Sequence, residues 1–471
     1  MGFSSIVGPV MNYFSTRGGV EPMPFGEAVM SGLARDGGLL LPETIPDVRE
    51  RLDRWADLSY RELAFEVMRL FADDLTADEL RALVTQSYAG FDDPEVTPVK
   101  AVGPLHILEL FHGPTLAFKD LALQFLGRLF ETLLARSGSE LNLLAATSGD
   151  TGSAAIQGVR GRRGIRIFVM HPRGCVSPIQ ERQMTTVLDD NVFNLSVAGT
   201  FDDCQGILKT LFSDLSFKDR YALGSVNSIN WARVMAQVVY YFYAGLRVRR
   251  ATGAAQVQFA VPTGNFGDIF AGWIARRMGL PVRRLILATN ENDILARFFN
   301  SGVYARGAVH ATLSPSMDIQ VASNFERYLF YRVGGDSARL RELMEGFARA
   351  GRLTAPLQPD GTVDAGIAAG VGDTAATRAV IRDYYERYGY LLDPHTAVGV
   401  HVASAFLRDD TPTIALATAH PAKFSKAVHE AIGRDLAHHP ALDALLELPT
   451  RCTPLPAEAG AVRDFVRAHC P

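Results

Sequence analysis

The chain has 471 residues, 48% hydrophobic and 21% charged, the balance of a folded globular protein with room for two or three domains. Its formal net charge of −4, with no long run of Lys or Arg, excludes nucleic acid as an expected partner. Cys175, Cys204, Cys452 and Cys470 include no C-x-x-C pair, so neither a metal site nor a disulfide framework is expected and a reducing compartment fits.

At the start, Met1 to Arg17 shows no basic stretch followed by a long apolar run, so no signal peptide is expected. No apolar stretch approaches the ~20 residues of a membrane helix, and the expected setting is a soluble protein of the cytoplasm, away from membranes. Residues 1–100 are predicted to form an N-terminal domain, mostly helical after Asp57. They end in a proline-punctuated stretch, Asp93 to Pro104, read as a boundary. From Asp120 to Arg136, Leu121, Phe125, Leu129 and Leu133 recur four apart, and Leu126, Phe130 and Leu134 widen the same face, which predicts a helix. Strands are predicted at Leu141–Ala146, Ile165–Met170, Val192–Val197, Val257–Val261, Leu285–Thr289 and Thr413–Thr418. Arg247, Arg249 and Arg250 read as the solvated last turn of a helix. Strand–helix alternation predicts α/β layers with mainly parallel sheets. Segment 138–234 carries its own strand–helix units and reads as a small α/β domain, inserted into a larger one built from 101–137 and 235–471.

Four segments could carry chemistry, and each has an ordinary structural explanation beside the functional one. In Phe111 to Asp120, a Gly-Pro turn leads to Lys119, followed by Asp120 as a helix cap. A lysine beside apolar groups and a helix N-terminus has reason to shed its proton, which suits imine chemistry; a surface lysine in a first helical turn explains the same letters. Ala146 to Ser153, a strand-to-helix turn rich in small residues, could turn backbone N–H groups toward an anion, or simply hold an Asp or Thr cap. Pro262 to Asp268 places two glycines before a helix, a seat for a phosphate ester or a plain tight turn. It matches neither the dinucleotide nor the nucleoside-triphosphate loop, which disfavours a nucleotide-binding protein. Ala417 to Phe424 presents Thr418, His420 and Lys423 at the carboxyl end of a strand, where open α/β sheets bind ligands; His420 is otherwise an ordinary loop residue.

Together these segments resemble threonine synthase, in the long form found in bacteria and fungi. The likeness extends to Phe25–Val29, Asp36–Leu39, Val226–Arg233, Ser316–Arg327 and Leu392–Ala397, in the same order along nearly the whole chain. The resemblance implies fold type II among pyridoxal-phosphate enzymes, similar to tryptophan synthase β, and a monomer. It implies Lys119 as the Schiff-base lysine, Gly264, Asn265, Phe266 and Gly267 as the cofactor-phosphate loop, and Thr418 as partner of the pyridine nitrogen. Thr147 to Thr151, including Ser148, would receive the substrate carboxylate near the cofactor's phenolic oxygen. Within that loop, Asp150 stands where shorter relatives carry asparagine. Ser228 and Arg233 are candidates for the substrate phosphate, as a hydroxyl and a planar cation, with helix cap and surface charge as their ordinary explanations. Lys423 is a further candidate.

The implied reaction takes O-phosphohomoserine, removes phosphate from Cγ and adds water at Cβ to give threonine. The free Lys119 amine is expected to take the Cα proton and then a Cβ proton. A neutral hydroxyl at Thr418 is expected to temper electron withdrawal by the ring. Rival readings are a phospho-lyase or a serine/threonine dehydratase on the same scaffold, a cysteine-synthase-like enzyme, or a cofactor-binding relative without this activity. No metal site is expected.

Overall fold

The computed structural model describes residues 11–407 and 410–470. Part of the stretch read for a signal peptide, residues 1–10, lies outside the described residues. Two sheets organise the rest. Six strands form the larger sheet, in the spatial order Ile367–Val371, Val282–Thr289, Val257–Pro262, Thr413–Ala417, Leu105–Glu109 and Val99–Val102. All neighbours run parallel except the last pair, a hairpin turned at Gly103, whose φ is +58°. Helices on both faces bury the central strands, and Val257–Pro262 is buried at every position. The smaller sheet is parallel throughout, in the order Thr453–Pro456, Val192–Ala198, Ile165–Pro172, Leu141–Ala146 and Leu223–Gly224.

All six predicted strands are present, within a few residues at their ends. The predicted helix spans Lys119–Ser137, closed by Gly138 in the left-handed conformation, and its expected apolar face is buried apart from Leu133, which is half-buried. The helix Trp231–Thr252 runs through the core almost wholly buried, its first turn capped by the Asn230 side chain. At its end, Arg250 pairs with Asp57 in solvent, whereas Arg247 lies 3.8 Å over the Tyr243 ring. Near the N-terminus, helices Tyr60–Met68 and Ala77–Ser87 each begin with a capping box, from Ser59 and Thr76.

Three expected boundaries do not follow the backbone. The break at residue 100 falls inside strand Val99–Val102, which pairs with Leu105–Glu109. The end of the segment 138–234 falls inside the helix Trp231–Thr252. Segment 235–471 does not build the larger sheet alone. Thr453–Pro456 is the edge strand of the smaller one, and Val462 and Val466 of the helix Ala459–His469 pack in the same cluster as Phe168 and Leu211.

One crossing positions the site. Helices Lys119–Ser137 and Asp150–Val159 meet at Gly127 and Gly158. A Cβ on Gly127 would lie 2.0 Å from the Gly158 carbonyl oxygen, and one on Gly158 would lie 2.5 Å from that of Leu123. These contacts leave no space for a methyl group. Gly206, in the helix Phe201–Ser213, has nothing within 4 Å of the same position. We predict that Gly158→Ala costs about 1–3 kcal/mol by forcing the helices apart, whereas Gly206→Ala is neutral or stabilises by up to ~1 kcal/mol. Urea unfolding of both variants checks this; equal stability of the two would contradict it.

Candidate active site

Lys119 opens its helix from inside the protein. The preceding loop turns tightly, with Leu116 at φ +59°. Asp120 was expected to cap the helix, and the structure corrects this. Its carboxylate folds back onto the loop, accepting from the Thr115 N–H at 2.8 Å and the Thr115 hydroxyl at 2.7 Å, while Phe118 occupies the cap position. Burial pushes the Asp120 carboxyl up to about 6, against those bonds. Lys119 is only 8% exposed, which removes the surface-lysine explanation. Its amine lies 3.5 Å from Asp150 Oδ2, 3.4 Å from Ser316 Oγ and 5.2 Å from the Phe118 ring centre.

Asp150 begins the second helix, after Gly149, whose φ of +141° no residue with a Cβ readily adopts. The Thr147 hydroxyl accepts from the N–H groups of Gly149 and Gly152, so it shapes the loop from within. Ser148 is exposed and Thr151 half-buried, which leaves both side chains accessible. Asp150 is buried, and its Oδ1 receives the Gln180 amide at 2.8 Å and the Lys423 ammonium at 3.0 Å. Burial works to raise its pKa, but Lys423 and Lys119, helped by the Gln180 hydrogen bond, outweigh it and hold the carboxyl far below its usual range. Burial, with repulsion from Lys423 and Arg233, holds the Lys119 amine below its ordinary pKa despite the attraction of Asp150.

The loop Gly264–Gly267 lies at the start of the helix Gly267–Arg277. A Cβ on Gly264 would sit 2.6 Å from the Ser316 carbonyl oxygen, so the loop passes as bare backbone. Ser316 therefore touches both this loop and the Lys119 amine. Phe266, at φ +63°, buries its ring among Phe299, Phe325 and Tyr328 and anchors the loop from behind. Asn265 is exposed, and its carbonyl accepts from the Asn324 backbone N–H and side-chain amide. Asn324 also reaches the Ser228 carbonyl, while Ser228 Oγ lies 3.1 Å from Ser323 Oγ. Ser228 thus stands beside the glycine loop. The buried Arg327 fixes Asn324 from behind and spans to the carbonyls of Leu40 and Ile229.

Thr418 follows the strand Thr413–Ala417 and is buried; its carbonyl accepts from the Phe118 N–H and its N–H donates to Thr396 Oγ1. Asp393 orients both neighbours, accepting from the Thr396 hydroxyl and lying 2.9 Å from His395 Nδ1. Because His395 Nε2 accepts from the Ser316 N–H, its proton sits on Nδ1, toward Asp393. The side chains expected to act together after this strand diverge. His420 caps the following turn and packs on Phe111 and His439; burial and neighbouring histidines press its pKa down to about 4, so it is uncharged near neutrality. Lys423 is fully buried and donates to the Thr115 carbonyl at 2.6 Å as well as pairing with Asp150.

Arg233 is 4% exposed, so it is no surface charge. It donates to the Val226 carbonyl at 3.2 Å, its Nε has no partner, and it pairs with no carboxylate among the described residues. Burial lowers its pKa to about 10. Sequence reasoning missed Gln180, Ser316 and His395 as individual participants. The last two lie in motifs already singled out, whereas Gln180 sits in a polar helix, Pro178–Thr185, with nothing in its spacing to mark it.

Comparison with known proteins places the chain among its relatives. The family model described as threonine synthase N terminus matches residues 12–88, that described as pyridoxal-phosphate dependent enzyme matches 98–357, and that described as threonine synthase, C-terminal, matches 396–466. The threonine synthase of Pseudomonas aeruginosa is 46% identical over 464 residues, covering 98% of each chain. That of Schizosaccharomyces pombe is 47% identical, covering 90% of this chain and 89% of its own. The crystal structure of pyridoxal-phosphate-bound threonine synthase from Brucella melitensis superimposes with a TM-score of 0.94 at 46% identity, covering 98% of this chain and 99% of that one. The yeast threonine synthase structure gives a TM-score of 0.92 at 41% identity, covering 97% and 98%. The fold is that of fold type II pyridoxal-phosphate enzymes, and the chain belongs to the threonine synthase family.

Proposed function

We propose that this chain converts O-phospho-L-homoserine and water to L-threonine and phosphate, with Lys119 carrying pyridoxal phosphate. The observation that carries the reading is the buried Lys119 amine, joined through Ser316 to a glycine loop at a helix N-terminus. The residues present fit the cofactor. Gly264, Asn265, Phe266 and Gly267 would hold its phosphate with backbone N–H groups and the helix dipole. Thr418 would face its ring nitrogen as a neutral hydroxyl, and Asp150 would lie near its phenolic oxygen. When bound, pyridoxal phosphate draws electrons from the substrate carbons.

The protein's own groups then supply position and proton transfer. Lys119, with its pKa drawn down by burial, suits removal of the Cα proton and then a Cβ proton, and return of a proton at Cγ and Cα. Ser148, Thr151 and the backbone amides of their loop would receive the substrate carboxylate, with Thr147 holding the loop in shape. Arg233 and Ser228 would bind the substrate phosphate. A buried guanidinium without a carboxylate supports that role, because a phosphate dianion would supply the missing counter-charge. A monomer acting in the cytoplasm belongs to the same proposal; no helix among the described residues is long and apolar enough to cross a membrane.

Incubating the purified protein with pyridoxal phosphate and O-phosphohomoserine should release threonine and phosphate in equal amounts. Phosphate with 2-oxobutyrate instead would mean a phospho-lyase, and release of no phosphate and no threonine would refute the proposal as well. Replacing Arg233 with Ala should raise KM for the substrate about tenfold or more with a smaller change in kcat, the signature of lost binding common to ground and transition states. An unchanged KM would remove Arg233 from the substrate site.

A further inference from the structure

The carboxylate of Asp150 stands between two buried lysines and cannot neutralise both. Lys423 has the stronger hold. It approaches Oδ1 at 3.0 Å, shares that oxygen with the Gln180 amide, and is pinned at its other side by the Thr115 carbonyl at 2.6 Å. Lys119 meets only Oδ2, at the longer distance of 3.5 Å, and its side chain keeps a little exposure where that of Lys423 has none. The other charged groups around the pair bring no second carboxylate to Lys119; Asp120 acts on Lys423 instead. Arg233 adds a third buried cation, His395 is tied to Asp393 and Ser316, and Asp120 is engaged by Thr115.

We propose that Lys423 is a positioning residue of the active site: by taking the shorter hold on the Asp150 carboxylate it weakens the counter-ion left to the Lys119 amine and so favours the form of that amine free to attack. The proposal rests on the assignment of Lys119 as the cofactor-bearing lysine. Two effects act in the same direction. The ammonium of Lys423 repels a proton on Lys119, and its short contact takes up the charge that would otherwise stabilise that proton. Both are strong because the two ammonium groups are buried. The directions found for the two groups agree, with Asp150 held ionised and Lys119 held below its ordinary range. Lys423 needs no contact with cofactor or substrate to act this way.

The sign of the pH effect follows. Removing the charge at 423 releases Asp150 to Lys119 and raises the Lys119 pKa, so attachment of the cofactor requires higher pH. The experiment follows the absorbance of lysine-bound cofactor as pyridoxal phosphate is added to cofactor-stripped full-length protein across a pH series. Lys423→Met should move the midpoint of the attachment rate upward by about one unit or more, roughly a tenfold slowing on the low-pH side. Lys423→Gln, which keeps a hydrogen-bonding side chain without the charge, should shift it likewise, and Lys423→Arg should restore the wild-type midpoint. If the Met variant does not fold, the Gln and Arg variants carry the comparison alone. A purely structural lysine would lower the melting temperature and leave the midpoint in place, and that result overturns the proposal. Cofactor absorbance that persists in Lys119→Ala would instead overturn the assignment of Lys119, so the two failures are distinguishable.

Discussion

One carboxylate shared by two buried ammonium groups is the interaction around which this site is arranged. Asp150, Lys119 and Lys423 come from three separate segments: the first turns of two helices and the turn after a central strand. Moving any such charge out of water costs several kcal/mol, and opposite charges offset that only in good geometry with further hydrogen bonds. Gln180, Thr115 and Ser316 supply those bonds. Arg233 lies buried nearby and pairs with no carboxylate among the described residues. A buried guanidinium left without a carboxylate favours a ligand that arrives as an anion. Both pyridoxal phosphate and a phosphorylated amino acid meet that requirement.

The fold holds the three segments together by close backbone contact more than by side-chain bulk. The Gly127–Gly158 crossing lets the two site-bearing helices approach until a methyl group no longer fits, which brings their first turns side by side. Ser316 does the equivalent for the glycine loop, its carbonyl pressed against Gly264 and its hydroxyl turned to Lys119. Asp393 fixes His395 and Thr396, and through them Ser316 and Thr418. A shift in any one of these contacts would therefore reach the lysine.

Much of this was legible in the sequence, for physical reasons. Strands buried on both faces leave apolar runs, so Leu141–Ala146 and Val257–Pro262 were found. Ile367–Val371 was not, since Ala and Gly at its centre carry little strand signal. Thr453–Pro456 holds two prolines and reads as a loop; its place at a sheet edge, where a missing N–H does no harm, depends on tertiary structure. Within the site, Lys119 and the glycine loop lay in motifs whose order along the chain identified the family. Whether a polar side chain turns inward could not be read the same way. Asp120 looked like a cap and holds the loop instead, and Lys423 looked like a candidate for substrate and is a buried partner of Asp150.

The central claim is that of two buried lysines against one carboxylate, Lys423 has the tighter hold and Lys119 is the amine left to carry the cofactor. Borohydride reduction of the cofactor-loaded protein, followed by peptide mass mapping, tests it most directly. The reduced cofactor is predicted on Lys119 alone, with Lys423 unmodified. Label on Lys423, or divided between the two, would contradict the claim.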